Sequence, residues 1–233
     1  MKLGALVSSG KDSLYALYLI KNSGYEISCI ITLKSRNPDS YMFHSANIDM
    51  VDLQAESMRL PLVVKETEGE KEKELLDLKS AIIDAIELHQ IEGIITGALY
   101  SVYQKSRIEK ICRELKLAVF SPLWHMDQAD EMKGLLNAGF KVIFTKVAAE
   151  GLDKSWLNLP ITYKHVEKLE QISREIGINI AGEGGEYESL VLDCPLFSQA
   201  VDIINSRIVE ENDYSAELII GKAVLTQKPL KNR

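Results

Sequence analysis

Short β-branched runs alternate with longer helical patterns through the first half of the chain, and this alternation constrains the fold more than any other feature. Residues 3–7 read as a buried strand and 12–22 as a helix, followed by a strand over 27–33 (ISCIITL) and a helix over 48–58. Residues 62–65 form a short third strand. A long helix over 70–89 carries Leu75, Leu78, Ile82 and Ile86 three and four apart on one face. A strand over 93–96, a helix over 101–115 and a strand over 118–121 complete the series. Strands separated by helices of this length demand crossover connections. The result is a parallel sheet covered on both faces.

After Pro122 the pattern changes. A helix over 128–137, a strand over 141–147 and a helix over 163–176 lead to a turn at Gly182-Glu183-Gly184-Gly185. Two β-rich runs follow, 200–209 and 218–226, separated by the polar stretch Glu210-Glu211-Asn212-Asp213. They read as an antiparallel hairpin, which a doubly wound domain does not need. The expected organisation is a first domain over 1–122, a smaller α+β domain over 123–227 and a loose tail over 228–233.

Composition narrows the function classes. The 233 residues are 46% apolar and 26% charged, ordinary for a globular protein with a real core. A net charge of −7 argues against a surface built to grip nucleic acid. Cys29, Cys112 and Cys194 are odd in number and form no CxxC pair, so neither a zinc ribbon nor a disulfide framework is suggested. A reducing, cytoplasmic location is the expectation. The apolar N-terminus stops after seven residues at a Ser-Ser-Gly turn, too short for a signal segment, and no later run approaches a membrane span.

Chemistry concentrates first at Ser8-Ser9-Gly10-Lys11-Asp12-Ser13, where the first strand gives way to the first helix. A helix N-terminus there presents open amides and the positive end of a dipole, a ready site for phosphate oxygens. Gly10 lets the backbone approach an anion, the three serines carry hydroxyl donors, and Lys11 adds a cation. Asp12 sits beside polyphosphate only if a Mg²⁺ ion lies between them. A Walker A loop is excluded, because five residues rather than four separate Gly4 from Gly10 and Asp12 follows Lys11. A Ser/Gly turn that merely caps a helix is the plainer alternative.

The loop resembles the SGGxDS pyrophosphate loop of N-type ATP pyrophosphatases, with Ser9 where that family has its first glycine. If the position needs a positive φ, Ser9 is strained. Three further segments extend the resemblance: Ser40-Tyr41-Met42-Phe43-His44, the stretch from Gly97 through Ser101-Val102-Tyr103-Gln104 to Arg107, and Gly182-Glu183-Gly184-Gly185-Glu186-Tyr187-Glu188-Ser189. With Ser121-Pro122-Leu123-Trp124 they are similar to the diphthine–ammonia ligase family, over the chain from the first strand to about Phe197. The implied fold is α/β: a parallel-sheet nucleotide-α-hydrolase domain, HUP-like and Rossmann-like, with a smaller C-terminal α+β domain.

Several residues gain a role from this resemblance. Gly97 ends a strand, and open α/β sheets bind ligands beyond the strand C-termini, so it belongs with the loop in holding nucleotide. Tyr103, Gln104 and Arg107 follow on the next helix. Arg107 shares a face with Tyr103 and can clamp a phosphate or carboxylate, although the residues alone fit a surface arginine equally well. Glu183, Glu186 and Glu188 repel one another unless they share a cation; a solvated acidic loop is the alternative. Lys11, Asp12 and Arg107 are the implied catalytic residues, Asp12 the metal ligand, and Tyr103, Gln104, Arg107, Glu183, Glu186 and Glu188 the substrate contacts.

The implied reaction joins ammonia to the diphthine residue of translation elongation factor 2, using ATP and Mg²⁺ and releasing AMP and pyrophosphate through an acyl-adenylate. Free ammonia or a separate partner is the expected nitrogen donor, because the chain starts Met1-Lys2 without a nucleophilic cysteine. The implied partners are therefore the elongation factor and ammonia; the sequence admits a homodimer. Two rivals stand beside this reading: a pyrophosphatase acting on another carboxylate or a tRNA base, and a non-catalytic ATP or AMP sensor.

Overall fold

The computed structural model describes residues 1–37 and 47–228. The first unit comprises Met1–Ala55 and Leu60–Met126; the second runs from Asp127 onward and includes Glu56–Arg59.

In the first unit the chain runs β1 (Lys2–Leu6), α1 (Lys11–Asn22), β2 (Glu26–Ser35), α2 (Met50–Met58), β3 (Leu62–Thr67), α3 (Glu74–His89), β4 (Gly93–Ile95), α4 (Val102–Glu114) and β5 (Ala118–Phe120). The five strands are parallel, in the order β3-β2-β1-β4-β5. This is the α/β sheet expected from the alternation. The chain winds outward from β1 through β2 to β3, then returns to start again at β4. Strand order therefore reverses between β1 and β4, and ligand crevices form at such a switch point. Apolar faces of α3 (Leu78, Ile82) and α4 (Ile108, Ile111) pack on Ile31, Val63 and Ile94 of the sheet. Burial of aliphatic side chains at this density stabilises the layer by about 1.5–3 kcal/mol per residue.

The second unit contains α5 (Gln128–Asn137), β6 (Lys141–Ala148), α6 (Tyr163–Ile176), β7 (Tyr187–Asp193), β8 (Gln199–Asn212) and β9 (Ser215–Gln227). Its sheet is antiparallel, in the order β7-β6-β9-β8. The hairpin is present but longer than its apolar runs suggest. Glu210, Glu211 and Asn212 lie within β8, and the turn falls at Asp213 and Tyr214. These residues are exposed, so polar side chains cost nothing there and the hydrophobic pattern fades while the pairing continues.

Two other boundaries differ from expectation. The long helix begins at Glu74 rather than Glu70, because Glu72 adopts φ 66° and cannot continue a right-handed helix. The start of the expected loose tail is tied down: Lys228 Nζ lies 2.5 Å from Asp193 Oδ1 and donates to the Cys194 carbonyl at 2.8 Å. Residues 229–233 and the Ser40–His44 segment fall outside the described residues.

Candidate active site

The loop after β1 is braced from three directions. Val7 donates its N–H to the Ile31 carbonyl at 3.0 Å and accepts from Thr32 Oγ1 at 2.8 Å, which fixes the strand exit against β2. Gln54 on α2 donates its side-chain amide to the Ser9 carbonyl at 3.0 Å. Ser13 closes the loop on itself: its Oγ donates to the Gly10 carbonyl at 3.1 Å and accepts the Ser8 N–H at 3.3 Å. Gly10 is extended, with φ −81° and ψ 170°, and caps α1. The Ser13 hydroxyl thus serves the loop's own geometry. Neither Thr32 nor Gln54 carries a motif, although both are buried polar side chains.

Ser9 occupies the left-handed region at φ 69°, where the resembling loop has glycine. It is fully buried, and its Oγ has no hydrogen-bond partner among the described residues. Both features cost free energy. A loop that keeps them is held in shape by its braces rather than by local preference.

Lys11 is only 1% exposed although it opens a helix, where the dipole opposes a cation. Its Nζ lies 2.5 Å from Asp12 Oδ1, and the Asp12 side chain is 31% exposed. Removing a cation from water is expensive unless charge compensates it. A sequestered lysine among helix N-terminal amides is an arrangement suited to an anion with several oxygens. Hard divalent cations that accompany polyphosphate take one or two carboxylates and complete their shell with phosphate and water. A single, partly open Asp12 fits Mg²⁺ in that role.

Gly97 stands against the same loop. A Cβ built there would lie 2.7 Å from Ser13 N and 2.8 Å from Asp12 C and Ser13 Cα. The end of β4 and the first turn of α1 are in backbone contact across the switch point, and only glycine permits that approach. Ser101 then caps α4 by accepting the Gln104 N–H at 3.3 Å.

Arg107, expected to clamp an anion, holds one from its own chain. Its Nη2 donates to Glu72 Oε1 at 2.9 Å, and Tyr103 Oη donates to the same oxygen at 2.8 Å. The guanidinium lies 3.8 Å from the Tyr103 ring centroid. The Arg107 and Tyr103 hydrogen bonds hold the Glu72 carboxyl below its usual range, while burial and Glu72 push the Tyr103 phenol up. Nothing in sequence spacing pointed to Glu72, which lies 35 residues from Arg107.

In the second unit the acidic turn is organised by one of its own carboxylates. Glu186 is 8% exposed. Its Oε1 accepts from Asn179 N at 2.8 Å and Asn179 Nδ2 at 2.7 Å, and its Oε2 accepts from Gly184 N at 2.8 Å. Amides of Asn179 and Gly184 thus supply Glu186 with donors from within the chain. Glu183 and Glu188 flank it, half-buried. Among the described residues no group of three His, Cys, Asp or Glu side chains is placed to hold a metal.

A phosphate-type loop at the first βα turn, braced beside the switch point of a parallel sheet, defines a nucleotide-binding α/β domain of the PP-loop class. Residues 1–119 match the family model described as diphthamide synthase N-terminal domain, and residues 127–225 that described as diphthamide synthase C-terminal domain. The chain is 34% identical to the diphthine–ammonia ligase of Mus musculus and 33% identical to that of Bos taurus. Each alignment covers 90% of this chain and 85% of the relative. A solved chain titled "predicted subunit of tRNA methyltransferase" from Methanocaldococcus jannaschii is similar at a TM-score of 0.43 and 17% identity, over 84% of this chain and 98% of that one. The chain belongs to the diphthamide synthase family, whose curated relatives are ligases.

Proposed function

We propose that this chain is an ATP-dependent amide ligase that converts the diphthine of translation elongation factor 2 to diphthamide, with ammonia as nitrogen donor. The observation that carries the reading is the buried Lys11 of the braced loop, set beside Asp12 at the first turn of α1, an arrangement suited to a polyphosphate with its Mg²⁺. Family membership supplies the substrate class.

A carboxylate is a poor acyl donor and must first be activated. Its oxygen attacks the α-phosphorus of ATP, the bond to the bridging oxygen of pyrophosphate breaks, and an acyl-adenylate results. The leaving diphosphate gains charge as that bond breaks. Open amides at the start of α1 and the Lys11 ammonium lie where they stabilise this charge without reorganising. Mg²⁺ held by Asp12 would supply further charge neutralisation across the phosphates. Ammonia then attacks the acyl carbon, AMP departs with the electron pair of the carbon–oxygen bond, and the ammonium proton passes to solvent. Positioning and electrostatics carry the rate, so the chemistry needs no His/Asp dyad.

Purified protein incubated with ATP, ammonium and diphthine-bearing elongation factor is expected to release AMP in step with diphthamide. Release of AMP only with tRNA, or none under any condition, would reject the reading. Exchange of Asp12→Asn keeps an oxygen for Lys11 but removes the charge that suits Mg²⁺. A folded variant without AMP formation is the expected result, and near-normal turnover contradicts the role given to Asp12.

A further inference from the structure

Glu72, Tyr103 and Arg107 form a constellation that the loop chemistry does not use. Both donors converge on one oxygen of Glu72, Tyr103 Oη at 2.8 Å and Arg107 Nη2 at 2.9 Å. The donors come from one helix, four residues apart, and the guanidinium is already stacked on the phenol ring at 3.8 Å. Lys71 Nζ lies 5.2 Å from the same ring centroid. The two donors thus touch each other as well as Glu72, and Lys71 adds a second positive charge nearby. Glu72 itself sits uneasily: its backbone is left-handed at φ 66°, and its side chain is 56% exposed. An exposed pair of this kind is weak enough to exchange.

Position matters as much as contact. Glu72 lies on the connection that follows β3, and Tyr103 lies in the first turn after β4. Both belong to the C-terminal edge of the parallel sheet, as does the Lys11 loop, and that is the edge where such sheets take ligands. An open groove of about 530 Å³ between α3 and α4 begins at Glu72 and Arg107 and continues past Leu75, Lys79 and Lys110.

We propose that Tyr103 and Arg107 form a seat for the carboxylate of the acceptor substrate, and that Glu72 is its internal occupant, displaced when the acceptor arrives. The inference rests on the amide-ligase reading, which supplies an acceptor bearing a carboxylate. A carboxylate rather than a phosphate is the matched ligand, because the group now seated there is a carboxylate. Glu72 acts as an internal competitor that lowers apparent acceptor affinity by the fraction of time it fills the seat.

The test uses Glu72→Ala in the full chain, with Glu72→Gln as a second variant that keeps the side chain's size. Removing the competitor is expected to lower the acceptor KM about two- to sixfold at little-changed kcat, with the ATP KM unaltered. An acceptor KM that stays constant or rises, or a fall confined to ATP, overturns the proposal. Titration of sodium acetate against the Arg107 side-chain NMR signals gives a readout free of turnover. The signals should respond at lower acetate concentration in Glu72→Ala than in the native chain, and no response in the variant removes the seat. Failure of the native chain to release acceptor-dependent AMP would instead sink the ligase reading, while the acetate titration still decides the seat.

Discussion

Replacing Ser9 with glycine isolates the cost of the departure in the phosphate loop. Ser9 holds φ 69° with its Oγ buried and unpartnered. A side-chain-bearing residue in the left-handed region costs about 1–2 kcal/mol. A buried hydroxyl without a partner costs a further 1–3 kcal/mol, roughly. Glycine gives back part of this, because the freer unfolded chain offsets about 0.4–1 kcal/mol. The signs therefore sum to a net stabilisation of roughly 1–4.6 kcal/mol for Ser9→Gly. Urea unfolding of the full chain, followed by a probe in the first unit, reads this as a higher midpoint at unchanged slope. The loop's bracing contacts use the Ser9 carbonyl, the Gly10 carbonyl and the Ser13 hydroxyl, none of which the exchange removes. AMP formation should therefore survive. An equal or lower midpoint would refute the reasoning, because it would mean that the hydroxyl is satisfied or the backbone unstrained.

Gly97→Ala tests the opposite case, since its Cβ would meet backbone atoms of the first turn of α1 at 2.7–2.8 Å. A loss of about 1–3 kcal/mol is expected from overpacking, with AMP formation down on the order of 100-fold as the loop is displaced; native melting and turnover together would sink the assignment. The thiols of Cys29, Cys112 and Cys194 are pushed up to about 12 by burial, so the native chain at pH 8 should resist a thiol-exchange reagent and react only on unfolding. Rapid colour development from one thiol under native conditions would contradict its burial.

How far the fold could be read in advance depends on which interactions are local. Strands and helices of the first unit were legible because each buries an apolar face with its own period: Leu78 and Ile82 of α3 and Ile31 of β2 meet in the same core. β7 escapes the alternation rule because Leu190, Val191 and Leu192 are consecutive and all buried. In the site, the loop and Gly97 were legible, since glycine tolerance and helix-terminal amides are properties of single positions. Glu72 and Gln54 were not. Each acts across the fold on a partner 35 or 45 residues away, and no spacing rule reports such a pair. The partners of Glu186 were illegible for a related reason: repulsion among three carboxylates calls for compensating donors but does not point to Asn179 and Gly184.

Two cations frame the C-terminal edge of the parallel sheet, and their burial assigns them different work. Lys11 is sequestered with the Asp12 carboxylate 2.5 Å away, so on the proposed function a polyphosphate would add to compensation that the folded loop already holds. On that proposal, phosphate binding would stabilise the folded loop by mass action, because a ligand that binds only the folded form does so. Arg107 is partly exposed and already matched by Glu72, so exchange of one carboxylate for another changes little in net free energy. On the proposed function, such a site would meet the phosphates with a buried charge and the acceptor carboxylate with a partly exposed one. That division suits a ligase that must hold pyrophosphate as it departs, yet release an acceptor carried on a large protein after each turnover.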